Sequence, residues 1–79
     1  MKIQLIEGNF DAKDALDIVT KMIHVKIKYH EDKIHEASAE EDINMRETRI
    51  KKLQKSLMDV RKHIESQSGK ITIQSEISF

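Results

Sequence analysis

Glu31-Asp-Lys-Ile-His-Glu-Ala-Ser-Ala-Glu-Glu-Asp42 decides how this chain folds, because the stretch reads either as the middle of one very long helix or as the turn of a helical hairpin. Acids at 31, 32, 36, 40, 41 and 42 face a single lysine, Lys33, and the apolar content falls to Ile34 and small alanines. Ser38-Ala-Glu-Glu has the spacing of a capping box, in which Ser38 accepts from the amide of Glu41 and the Glu41 carboxylate reaches back. Seven basic residues against two acids follow between Arg46 and Lys62. In an antiparallel hairpin that basic segment lies beside the acidic end of the first helix, a modest gain at an exposed surface.

The rod competes through its phase. Positions 15, 18, 22, 25 and 29 share a heptad register with 43, 50, 53, 57, 60 and 64, so an unbroken helix over 12–67 keeps one seam. Asp32 and Glu36 would then sit in that seam, and two charged positions there weaken a coiled coil. The hairpin is the better reading, with a turn at about 37–39.

Working outward, the second helix covers 39–67. Ile43, Ile50, Leu57 and Ile64 recur every seven residues, with Leu53 and Val60 at the intervening step, so a narrow seam carries the aliphatic side chains. Arg61, Lys62 and His63 suit the negative end of the helix dipole, and Gly69 provides a left-handed residue beyond it. The first helix covers 11–37, with Asp11 as a cap and Asp14 near the positive end of the dipole. Leu16, Val19, Ile23, Ile27 and Ile34 form one stripe, and a second, Ala15, Ile18, Met22, Val25 and Tyr29, widens the apolar face over the first half.

The termini read as strands. Lys2-Ile-Gln-Leu-Ile6 alternates until Ile6 breaks the pattern, and Gly8-Asn9 then punctuates it as a turn. Ile71-Thr-Ile-Gln-Ser-Glu-Ile-Ser-Phe79 sets Ile71, Ile73, Ile77 and Phe79 against Thr72, Gln74, Glu76 and Ser78, the clearest strand in the chain. A hairpin returns the chain to its start, so the two strands pair antiparallel. The expected fold is α+β, mostly α: a single β-α-α-β domain over 1–79, with strands 2–6 and 71–79, dimerising into a four-helix bundle.

Dimerisation is expected because 79 residues without cysteine bury little apolar surface and have no disulfide or thiolate–zinc staple. Leu16, Val19, Ile23, Ile27, Ile34, Ile43, Ile50, Leu53, Leu57, Val60 and Ile64 are the expected core or dimer seam. Glu36, Glu40, Glu41, Arg49 and Lys52 are the expected surface for a protein partner at the hairpin tip.

Fourteen acids balance fourteen bases, so no bulk field favours nucleic acid or an anionic membrane. No apolar run reaches the length of a membrane span, and the amino terminus turns polar too soon for a signal peptide, which points to the cytoplasm.

Chemistry is weakly indicated. Asp32-x-x-His35 has the spacing of one ligand pair of a carboxylate di-metal bundle, but no second pair accompanies it, so no metal or cofactor is expected. His30 on a helix of a dimeric bundle resembles the general layout of histidine phosphotransfer domains. The sequence His30-Glu-Asp-Lys-Ile lacks the proline and small polar residue that usually follow the phosphorylated histidine. His30 also falls on the Leu16, Ile23 stripe, consistent with a half-buried, hydrogen-bonded ring. Arg46, Arg49, Lys52 and Lys55 could neutralise phosphates of a nucleic acid from one helical arc, yet the aromatics are too scattered for base stacking. Without a glycine-rich phosphate loop or a paired nucleophile, the chain reads as a non-enzymatic helical assembly or interaction module.

Overall fold

The computed structural model describes every residue except Ala37, Ser38 and Ser68. The order is β1 (Lys2–Asp11), α1 (Ala12–Glu36), α2 (Glu40–Glu65) and β2 (Lys70–Ser78). The two helices pack as an antiparallel hairpin, and the two strands form one antiparallel ribbon that contacts α1. The Cα atoms span 47 × 33 × 13 Å. Packed helices sit about 8–10 Å apart, so the thin dimension holds essentially one layer of backbone.

The helix divides between Glu36 and Glu40, as the hairpin reading expects, and the Ser38 capping box lies outside the described residues. Ala39 occupies the cap position with extended φ −91 and ψ 127 and no side-chain cap. The first turn is held by Ile43 N–H donating to the Ala39 carbonyl at 3.2 Å, and Glu40, Glu41 and Asp42 supply negative charge where the dipole favours it. At the far end Ser66 N–H donates to the Lys62 carbonyl and the Ser66 hydroxyl to the His63 carbonyl at 2.7 Å. Gly69 then takes φ +98, the positive region expected of it.

The first strand is longer than its alternation indicates, and Gly8-Asn9 is no turn. β1 runs on through both residues to Asp11, and α1 begins directly at Ala12. Gly8 remains in the ladder opposite Ile73 with φ +148, a conformation that L side chains rarely adopt. The Phe10 ring covers the bare backbone there, 3.6 Å from where a Cβ would stand. Asp11, expected as a cap, instead accepts from Lys70 Nζ at 2.6 Å across the base of the ribbon.

Ile6 breaks the alternation because the strand carries a bulge. Ile3 pairs with Ile77 and Gln4 with Glu76, but Ile6 pairs with Ser75, leaving Leu5 as the extra residue. One inserted residue reverses the parity of a strand. Ile3 thereby joins Ile6, Gly8 and Phe10 on the face shared with Ile71, Ile73, Ser75 and Ile77.

Burial is sparse. Among the described residues, Ala15, Ile27 and Ile64 are the buried apolar ones and His30 is the buried polar one. Ala15, at 0% exposure, lies in the part of α1 nearest the ribbon, where the second apolar stripe begins. That stripe fades as expected, since Val25 is 72% exposed while Ile18 and Met22 are half-buried.

Candidate functional site

Of the eleven expected seam residues, Ile27 and Ile64 are buried and the other nine are half-buried. None of them is exposed. At 100° per residue a heptad drifts by about 20°, so Ile43, Ile50 and Leu57 fall within one narrow arc of α2. Leu57 and Met58 line an open groove with Gln54 and Arg61, and Leu16 floors another with Lys13, Asp17, Thr20 and Arg61. This flank of the hairpin is aliphatic at its centre and polar at its rim.

A different arc of α2, carrying Arg49, Lys52, Leu53 and Ser56, faces Lys26 and His30 of α1 across a cleft of about 260 Å³. The helices bring these groups together because antiparallel packing pairs positions equally far from the turn. His30 and Arg46 each lie eight residues from Ser38 in sequence, and they meet: Arg46 Nη1 is 3.2 Å from His30 Nδ1. A guanidinium can only donate, so Nδ1 accepts and the imidazole hydrogen resides on Nε2. Nε2 is enclosed and has no hydrogen-bond partner among the described residues. A buried donor without an acceptor carries a desolvation cost on the order of 1–3 kcal/mol.

Arg46 is itself held on three sides. Its Nε donates to Asp42 at 3.4 Å, and its guanidinium lies 5.8 Å from the Tyr29 ring centre. Tyr29 in turn meets the His30 ring edge-on, with centroids 5.3 Å apart. Burial pushes the His30 pKa below the ordinary imidazole value, and the positive charges of Arg46, Arg49 and Lys26 push it the same way. The ring is therefore neutral at pH 7, and its basic lone pair is already occupied by Arg46.

The expected partner surface divides in two. Glu36, Glu40 and Glu41 are exposed at the hairpin tip, with Glu36 taken by Lys33 at 3.3 Å. Arg49 lies nine residues beyond Glu40, about 13 Å along a helix, and with Lys52 belongs to the cleft instead. Lys55, grouped with them by spacing, pairs with Asp59 at 3.2 Å. Lys26, Arg46 and Ser56 were not grouped around His30 by spacing alone, since they come from two helices. Their signal was the coincidence of a histidine and an arginine on facing seams.

Asp32 accepts from Lys28 at 2.8 Å, and among the described residues no three histidine or carboxylate groups converge. Among the described residues, no helix is long and apolar enough to cross a membrane. Comparison of the chain with protein-family models, with curated proteins and with solved structures finds no match in any of the three.

Proposed function

We propose that this chain is a non-enzymatic helical-hairpin assembly module whose working unit is a homodimer. Two hairpins pack through the flank carrying Leu16, Ile50, Leu57 and Met58 into a four-helix bundle, and the acidic tip at Glu36, Glu40 and Glu41 remains free for a protein partner. The observation that carries this reading is the thinness of the chain. A layer 13 Å thick with three buried apolar residues among those described leaves its aliphatic seam half-open along its length. Small chains without staples commonly complete their cores by association. A self-complementary face is the simplest way to do so.

The ribbon supports the same reading. Two strands alone are marginal in water, and here Ile3, Leu5, Ile77 and Phe79 stay exposed at its far end. Phosphotransfer through His30 fares worse. The nitrogen with the lone pair is bonded to Arg46, the other carries the hydrogen, and neighbouring cations weaken the ring as a base.

Light scattering on the purified chain at tens of micromolar tests the proposal. A mass of two chains is expected, and a stable single chain at that concentration would overturn it.

A further inference from the structure

We propose that the cleft between Lys26 and Arg49 is a binding site for a small organic phosphate, with Lys26, Arg49 and Lys52 as charge partners and His30 at its inner wall. These three make no ion pair among the described residues, as is also true of Lys2, Lys13, Lys51, Arg61 and Lys62, but they alone of the unpaired cations line this cleft. No carboxylate lines the cleft. In a chain of zero net charge, a pocket surrounded by uncompensated positive charge selects an anion.

The second observation is the imidazole. His30 is 97% buried by its 3% exposure, lines this cleft, and holds an Nε2–H that lacks an acceptor among the described residues. The Arg46 contact fixes that hydrogen on Nε2, an enclosed donor in the wall of the cleft that a bound ligand reaches only if the ring shifts. Ser56 adds a hydroxyl, and Leu53 an apolar side. Ammonium, guanidinium and hydroxyl groups together match the several acceptor oxygens of a phosphate dianion. A volume of about 260 Å³ exceeds the ~30 Å³ share of one water and falls just short of the roughly 300–1,000 Å³ of drug-sized sites. It suits a phosphomonoester with a compact organic group. The site uses the flank of α2 away from Leu57 and Met58, so it does not depend on the dimer, and either proposal can fail alone.

The test is a titration of the ¹⁵N-labelled full-length chain with phenyl phosphate, inorganic phosphate and oligodeoxythymidylates of increasing length, followed by amide and imidazole resonances. Phenyl phosphate is expected to saturate, with shifts centred on residues 26, 30, 49, 52 and 56 and a change in the His30 Nε2–H signal. Arg49→Ala and Lys52→Ala are each expected to weaken it roughly tenfold. Lys51→Ala, an exposed cation outside the cleft, is expected to leave it unchanged. Saturation by inorganic phosphate alone would assign the site to the free ion and overturn the organic ligand. Drift without saturation, equal losses on Lys51→Ala, or affinity that grows with oligonucleotide length while phenyl phosphate stays inert would overturn the site itself.

Discussion

Met58→Gln separates pairing from folding. Met58 is 57% exposed in the single chain and stands beside Leu57 on the aliphatic flank. Complete burial of a methionine stabilises by about 1.5–3 kcal/mol, so covering the exposed fraction contributes roughly 1–1.5 kcal/mol per copy. A twofold pair contains the residue twice, which gives about 2–3 kcal/mol and a dissociation constant raised roughly thirty- to a hundred-and-fifty-fold. Glutamine has nearly the same length, and at so open a position it changes the stability of one chain by no more than about 0.5 kcal/mol. Sedimentation equilibrium at several loading concentrations reads the constant, and circular dichroism confirms that the helices persist. A constant changed less than threefold, with helicity intact, would refute the assignment of this flank to the dimer.

Other outcomes follow from single residues. The folded state holds the His30 pKa below its unfolded value, so the neutral ring's contribution is complete above the unfolded pKa near 6.5. It is lost as pH falls from there toward the folded pKa. Urea midpoints between pH 8 and 5 are expected to fall for the natural chain and to flatten in His30→Leu, which also removes the unpartnered Nε2–H. Gly8→Ala is expected to cost about 1–3 kcal/mol from its backbone conformation, since at φ +148 the space beside Phe10 is adequate but the conformation is not. A denaturation midpoint no lower than that of the natural chain would contradict it. Ala15→Leu inserts bulk at a fully enclosed position and is expected to lower the melting temperature through overpacking of about 1–3 kcal/mol.

Much of the fold is legible from hydrophobic period and charge. The heptads from Ile43 to Ile64 fix the buried side of α2, and the acidic-to-basic inversion around residue 42 locates the hairpin, because both depend on side-chain properties that repeat locally. The second half of β1 was hidden by Gly8-Asn9, whose turn preference is overridden when the ribbon supplies a partner for each residue. A signal was present in the other strand, since nine alternating residues at 71–79 need an equally long companion and residues 2–6 are too few. Ile6 out of phase was likewise the mark of the bulge at Leu5. The cleft was less accessible. Lys26 and Ser56 meet only through the rotation of two packed helices, which residue spacing along one helix does not specify.

The most direct test of the central claim, that the open seam is completed by a second copy, is the unfolding midpoint measured over a hundredfold range of chain concentration. Pairing that stabilises the folded state makes the midpoint rise steadily with concentration. A midpoint that stays constant across the range, at the mass of a single chain, would contradict it.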